Sequence, residues 1–226
     1  EVIDTKAPVA PQNFEVKKQS GSSVTLSWDA SYDSFGEASY LICRDGEEIA
    51  RTKAHTYKDI GLNAGQTYQY EIIAYNVYNF TSEKSSLMAT PSLPQIMQAG
   101  LDNGESETGG EYPAVLEALI LDQKNLEGMD VRFYYAKEGE EWTDLGAVTE
   151  TKLETMNRYQ VSWPLKELQT GTYRILCAAT DEDGNKTEKE MSIHVDRTAP
   201  DEIFGFSVFP DVSEISLSWG MAVEMK

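Results

Sequence analysis

The chain has few of the side chains that most enzymes use for catalysis. Of its 226 residues, only two are cysteine and two are histidine. Cys43 and Cys177 lie in segments that the strand pattern assigns to different domains. A disulfide within one domain is therefore not available, and both are expected to be reduced thiols buried in a core. Neither His55 nor His194 has a carboxylate or a nucleophile at a recognised motif spacing.

Sequence motifs for catalysis are also missing. No GxSxG, HExxH, phosphate-loop or paired CxxC motif occurs. A glycosidase with two catalytic carboxylates leaves no fixed spacing, but it needs a deep cleft, which small sandwich domains seldom provide. We therefore expect a non-catalytic chain without a cofactor.

Positive charge is scarce. There are 19 Lys and Arg residues against 38 Asp and Glu, a net charge of −19, and the pI is about 4.4. Like-charge repulsion argues against a nucleic-acid or anionic-membrane partner. No apolar run is long enough to span a bilayer, so no membrane insertion is expected. The first residues show no basic-then-apolar leader, so we expect that any signal peptide was removed or lies upstream in a longer protein.

The most informative feature that is present is an internal repeat. Three elements recur in order: Asp4-x-x-Ala7-Pro8 as Asp196-x-x-Ala199-Pro200, Phe14-Glu15-Val16 as Phe206-Ser207-Val208, and Val24-Thr25-Leu26-Ser27-Trp28 as Ile215-Ser216-Leu217-Ser218-Trp219. The second copy is one residue shorter, and we assign the missing residue to the connecting turn. The repeat predicts one complete module and the opening of another.

Residues 1–94 carry the pattern of short strands. Apolar residues alternate with polar ones around Val24–Trp28 and again over Tyr68–Ala74, while Arg44-Asp45-Gly46 marks a tight turn. No segment between residues 8 and 90 has the period of an amphipathic helix. The pattern predicts an antiparallel β-sandwich of about seven strands.

The residues of this module carry a family resemblance. They are Pro11-x-x-Phe14-x-Val16, Val24–Trp28, Tyr40-x-Ile42, Tyr57-x-Asp59-x-Gly61-Leu62-x-x-Gly65-x-x-Tyr68, Ala74 and Asn79-x-Thr81. In this pattern residues 6–91 resemble a fibronectin type III domain. The resemblance implies that Trp28 is the central core residue, and that Tyr68 forms a tyrosine corner with its hydroxyl bound to nearby backbone.

Residues 95–196 are predicted to form a second sandwich. Its strands are marked by Val131-x-Phe133-x-Tyr135, by Tyr159-x-Val161-x-Trp163 and by Tyr173–Ala179. The alternation along the last strand directs Cys177 inward. Trp163 and Tyr173 are expected to be core residues. Residues 114–121 could be read as a helix, but a strand fits the spacing better. The segment resembles the immunoglobulin-like spacer domains of large bacterial surface proteins. The whole chain is thus expected to be all-β, built of tandem antiparallel sandwiches, with residues 197–226 as the incomplete start of a second type III domain.

The second module holds nine basic and 21 acidic residues. The favoured interpretation is solubility of an extended extracellular rod, with Asp181-Glu182-Asp183-Gly184-Asn185 as a simple hairpin turn. The alternative is a calcium site at the domain junction, with Asp181 and Asp183 as ligands and Asp102 or Glu105 contributing from the linker.

Four aromatic residues are predicted on neighbouring loop tips of the first module: Tyr32, Phe35, Tyr78 and Phe80. They either stack on a sugar or a protein partner, or they contact a preceding domain or fold back onto their own core. The leading hypothesis is therefore a non-catalytic, extracellular spacer or adhesion module of a larger secreted or cell-surface bacterial protein, with a surface protein or polysaccharide as its partner. The alternative is a carbohydrate- or protein-binding accessory module of a secreted glycoside hydrolase. If the C-terminal segment is ordered, Trp219 is expected to be buried against a neighbour, with self-association through residues 204–219 as one outcome.

Overall fold

The chain is all-β. The computed structural model describes residues 6–34, 36–110, 112–121 and 129–198, and the backbone of two further strands at 204–210 and 215–220. Within these residues every regular element is a strand, and there is no helix long and apolar enough to cross a membrane.

The first sandwich has seven strands in two antiparallel sheets and a short hairpin. One sheet has the order β1-β2-β7, the other has the order β6-β5-β8-β9, and β3 pairs with β4. The strands are β1 (Glu15–Gln19), β2 (Ser23–Ser27), β3 (Tyr32–Asp33), β4 (Gly36–Glu37), β5 (Ser39–Arg44), β6 (Glu47–Thr52), β7 (Thr56–Ile60), β8 (Tyr68–Tyr75) and β9 (Ser85–Ala89).

The core of this sandwich follows from strand alternation. On β8, every second side chain from Tyr68 to Ala74 is buried. Trp28 is 4% exposed and packs edge-on against Tyr40, with ring centroids 5.4 Å apart. The Tyr68 hydroxyl accepts a hydrogen bond from the backbone N–H of Asn63 at 3.0 Å.

The expectation that both cysteines are core thiols is wrong for Cys43. Tyr40 and Ile42 take the inward positions of β5, so the next residue points outward and is only partly buried. Burial, with Glu71 and Glu48 nearby, raises the pKa of its thiol. Cys177 is fully buried, and burial raises its pKa to about 12.

The second sandwich has nine strands in two sheets. Their orders are β10-β12-β16-β15 and β11-β18-β17-β13-β14, with β11 parallel to β18. The strands are β10 (Ile96–Leu101), β11 (Glu107–Gly109), β12 (Ala114–Leu121), β13 (Asp130–Lys137), β14 (Thr143–Asp144), β15 (Thr149–Lys152), β16 (Met156–Trp163), β17 (Gly171–Thr180) and β18 (Lys186–Asp196).

In this sandwich residues 114–121 form a strand, not a helix, because they pair residue for residue with β16. Trp163 is fully buried and lies edge-on to Tyr173, with centroids 5.9 Å apart. The Tyr173 hydroxyl bonds to the backbone of Gln169 at 3.1 Å. This arrangement matches that of Tyr68 in the first sandwich.

A third, two-stranded sheet consists of β19 (Phe204–Pro210) and β20 (Ile215–Gly220). Its register repeats that of β1 and β2: Val208 pairs with Leu217 as Val16 pairs with Leu26. The prediction that the missing residue of the second copy lies in the connecting turn is wrong. The missing residue falls where β1 has a bulge between Val16 and Lys18. The predicted contacts of Trp219 lie outside the described side chains.

Candidate functional site: the junction between the sandwiches

Two turns meet where the first and second sandwiches adjoin. One is the β1–β2 turn, residues 20–23, and the other is the β17–β18 turn, residues 181–185. Asp183 Oδ2 accepts hydrogen bonds from the hydroxyls of Ser20 and Ser23, each at 2.5 Å. Lys58 on β7 donates to Asp183 Oδ1 at 2.7 Å. Both serines are 2% exposed, so these bonds are largely shielded from water.

Asp181 holds its own turn and also reaches across the junction. Its Oδ1 accepts from the backbone N–H groups of Asp183 at 3.0 Å and Asn185 at 2.9 Å, as short acidic side chains do in hairpin turns. Its Oδ2 accepts from the Gly21 N–H at 2.8 Å. Asn185 Nδ2 donates to Ser22 Oγ at 2.9 Å. The acidic turn is therefore built to accept the donors of the serine-rich turn.

Charged residues form the rim of the contact. Lys18 pairs with Glu182, and Lys58 lies 3.4 Å from the same carboxylate. These side chains are between 27% and 39% exposed, so each ion pair contributes little by itself. Their main effect is to orient the acidic turn toward the basic edge of the first sandwich.

Close packing requires a glycine at position 21. A Cβ atom there would lie 2.7 Å from Leu93 Cδ2 and 3.0 Å from Asn185 Cβ. The linker is fixed too, because the Ser92 N–H donates to the Ser20 carbonyl at 3.1 Å. The crevice between the sandwiches has a volume of only about 10 Å³, roughly the space for one water molecule.

The electrostatics of the junction favour ionised Asp183. Burial acts to raise the pKa of this carboxyl, but the hydrogen bonds from Lys58, Ser20 and Ser23 outweigh it and lower the pKa to about 2. The same contact raises the pKa of Lys58. The pair therefore stays charged over the whole physiological range.

Asp181 and Asp183, the ligands named by the alternative calcium hypothesis, thus accept hydrogen bonds from protein donors. The contribution that this alternative assigned to Asp102 or Glu105 is contradicted by the structure. Ser106, which follows Glu105, accepts a hydrogen bond from the N–H of His194 near the C-terminal end of β18. The acidic turn adjoins the other end of β18, at Lys186, about 26 Å away at the usual rise per residue. Among the described residues, no group of three or more His, Cys, Asp or Glu side chains is placed to hold a metal.

The loop aromatics lie at the opposite, N-terminal end of the first sandwich. Tyr32 is 55%, Tyr78 41% and Phe80 38% exposed, while Phe35 lies outside the described residues. Asn76 Oδ1 accepts the N–H groups of Tyr78 and Phe80, both at 3.0 Å. The N-terminal segment bridges the two loops: the Val9 N–H bonds to the Tyr32 carbonyl, and the Lys6 carbonyl accepts from Asn76.

Comparison with known proteins agrees with the geometry of the first sandwich. The family model described as "Fibronectin type III domain" matches residues 9–88. Residues 9–88 are a fibronectin type III domain. Relatives include an Alpha-amylase from Niallia circulans, 40% identical over 75 residues (33% of this chain and 6% of that protein). A Chitinase C from Streptomyces lividans is 32% identical over 105 residues (46% of this chain and 16% of that protein).

The chain spans only 6% to 16% of the length of these two relatives. Among solved structures, the chicken CNTN1 FN1-FN3 domains superpose with a TM-score of 0.41 at 20% identity. That superposition covers 96% of this chain and 77% of that one.

Sequence reasoning missed the polar contact that joins the two sheets of the type III domain. Asp59 on β7 is 5% exposed. It accepts two bonds from Arg44 on β5, at 3.0 and 2.8 Å, and one from Tyr70 on β8 at 2.7 Å. Burial, and then the bond to Asp59, raises the pKa of Tyr70. Sequence reasoning also missed Ser20, Ser23 and Lys58, because a Ser-Gly-Ser-Ser run is typical of any turn.

Proposed function

We propose that this chain is a non-catalytic, extracellular spacer of a larger secreted protein that acts on polysaccharide. Its type III domain is related to short stretches of much longer proteins named Alpha-amylase, Chitinase C and Exoglucanase B. A module that makes up a small fraction of such a protein can set the distance between its other parts. The acidic surface suits an exposed, soluble rod.

One observation carries this proposal: the hydrogen-bonded junction centred on Asp183. Two sandwiches joined only by a linker would sample many orientations. Here Ser20, Ser23 and Lys58 of one sandwich donate to a single carboxylate of the other, and Gly21 allows the turns to touch. A spacer needs a fixed orientation of this kind.

Small-angle X-ray scattering of the whole chain tests the spacer role. The wild-type curve should fit a single relative orientation of the two sandwiches, and Asp183→Ala should require a broad distribution. Asp144→Ala is a matched control, because Asp144, like Asp183, accepts a hydrogen bond from a basic side chain, but within one sandwich. An equally broad distribution of relative orientations in wild type and in Asp183→Ala would contradict the proposal.

The non-catalytic assignment has its own test. Soluble starch, colloidal chitin and carboxymethyl cellulose incubated with the chain should release no reducing sugar above a buffer blank. Release that scales with protein concentration would contradict it.

A second candidate function is favoured by the exposure of Tyr32, Tyr78 and Phe80. Exposed aromatic rings on adjacent loops can stack on a sugar or anchor a protein partner. Pull-down on insoluble chitin and cellulose tests this role. Binding that is lost in Tyr32→Ala/Tyr78→Ala but kept in the exposed control Tyr112→Ala would support it. Binding unaffected by the double substitution would exclude these loops.

A further inference from the structure

The second sandwich has a cleft at one open edge, where the chain crosses from β14 in one sheet to β15 in the other. Its volume is about 320 Å³, which is at the lower end of the range for small-molecule sites. Met129, Val131 and Val148 contribute apolar walls, and Arg132, Glu150 and Tyr159 contribute polar groups. The cleft is therefore large enough for a small ligand and has both wall types that such a ligand needs.

Glu150 is fixed in this cleft. It pairs with Tyr159 across the β15–β16 ladder. Its Oε1 accepts hydrogen bonds from Asn157 Nδ2 at 2.9 Å and from the Tyr159 hydroxyl at 3.2 Å. A carboxylate held by two donors is oriented before any ligand arrives, which lowers the entropy lost on binding.

Asn157 provides an independent sign of a missing partner. It is 3% exposed, and its Oδ1 has no hydrogen-bond partner among the residues that the structure describes. Alternation along β16 puts Asn157 on the same face as Tyr159, and its amide touches the cleft-lining Glu150. A buried acceptor without a donor is costly, so a ligand donor here would be stabilising.

The charges of the cleft select the ligand. Arg132 is already paired, with Asp130 at 3.1 Å and with Asp144 at 3.3 Å. The unpaired charge is therefore the carboxylate of Glu150, in a module with nine basic and 21 acidic residues. This negative charge suits a ligand that brings a positive charge and hydrogen-bond donors.

We propose that this cleft binds a primary ammonium group flanked by hydroxyls, as in a glucosamine unit of a partly deacetylated amino-sugar polymer. The assignment to a sugar rests on the proposed function in a polysaccharide-acting protein. The ammonium binds the carboxylate of Glu150, next to Asn157, and the sugar carbons contact Val131 and Val148.

Titration of the ¹⁵N-labelled chain with three probes tests the proposal: glucosamine, N-acetylglucosamine and Nα-acetyl-lysine amide. Glucosamine should shift the amide signals of Val131, Val148 and Tyr159 in a saturable way. Its Kd should be about tenfold lower than that of N-acetylglucosamine, which lacks the charge. No shift at the cleft, or equal affinity for both sugars, would overturn the proposal. Tighter binding of the lysine amide would overturn the sugar assignment.

Two variants locate the binding. Glu150→Gln keeps an acceptor for Asn157 and Tyr159 but removes the charge, and it should weaken glucosamine binding about tenfold. Glu167→Gln makes the same change on an exposed residue outside the cleft and should have no effect. Ala147→Trp should block the cleft. Unchanged affinity in Glu150→Gln would overturn the proposal. The scattering experiment on the junction uses different residues, so failure of the cleft leaves the spacer role to be judged separately.

Discussion

Lys58 Nζ of the type III domain lies 2.7 Å from Asp183 Oδ1 of the second sandwich. The two residues are 125 positions apart in the chain, and the other carboxylate oxygen receives Ser20 and Ser23. One side chain therefore accepts three bonds from a neighbouring domain. Asp183 therefore accepts more hydrogen bonds across the junction than the neighbouring Asp181, which accepts one from Gly21.

Acid should weaken the junction within a defined pH window. Asp183 has a pKa of about 2 in the folded chain, against an ordinary value of 3.8. Because its folded pKa is lowered, ionisation of Asp183 stabilises the folded state. That contribution is present in full well above pH 4 and is lost as the pH falls toward 2. The difference in stability between wild type and Asp183→Asn, measured by urea unfolding from pH 6 to pH 2, should shrink across this window. A difference that is unchanged at pH 2 would show that another group sets the junction.

Gly21→Ala should loosen the junction by steric conflict alone. The new methyl group would lie 2.7 Å from Leu93 and 3.0 Å from Asn185, so one turn must move. Scattering should show a wider spread of orientations, while Gly100→Ala, where a Cβ meets nothing within 4 Å, should leave the curve unchanged. A wild-type curve from Gly21→Ala would mean that the turns do not touch in solution.

The internal repeat suggests a test in which negative charge is introduced at the junction. In the second copy, Ser20 and Ser23 correspond to Asp211 and Glu214. Ser20→Asp/Ser23→Glu would therefore place two carboxylates against Asp183, and like charges at this distance repel. Heteronuclear relaxation should show independent motion of the sandwiches in this double variant, but not in Ser85→Asp on β9. If the two sandwiches still tumble together in the double variant, the hydroxyls of Ser20 and Ser23 are not needed as donors.

The buried contact of Asp59 should stabilise the type III domain. Asp59→Ala leaves Arg44 and Tyr70 without their shared acceptor, and the free energy of unfolding should fall by about 3 kcal/mol. Glu48→Ala removes a partner of Arg51 at the exposed surface and should leave the urea midpoint unchanged. Equal midpoints for Asp59→Ala and Glu48→Ala would contradict this role.

Much of the fold could be predicted from local patterns. The alternation of Tyr68, Tyr70, Ile72 and Ala74 fixes which face of a strand is buried, and residues 9–88 form the predicted type III domain. Alternation also explains the error at Cys43. Tyr40 and Ile42 occupy the inward positions of β5, so Cys43, directly after Ile42, points outward. The sequence gap in the repeat could not distinguish a shorter turn from a lost bulge, since both remove one residue.

The junction could not be predicted, for a physical reason. Asp181 and Asp183 stood out as an acidic turn, but their partners Ser20, Gly21 and Ser23 have the composition of any surface turn. Which donors meet which acceptors depends on how two sandwiches adjoin, and 163 positions separate Ser20 from Asp183. No period or motif records that distance. The loop aromatics were found because they depend only on strand order within one domain.

The most direct test of the rigid spacer is ¹⁵N relaxation of the whole chain at neutral pH, with Asp183→Ala and Asp144→Ala measured in parallel. In wild type and in Asp144→Ala, amides of the type III domain and of the second sandwich should fit one common rotational diffusion tensor. In Asp183→Ala the two sets should need separate tensors. Separate tensors already in the wild-type chain, or a common tensor that survives Asp183→Ala, would contradict a junction held by this carboxylate.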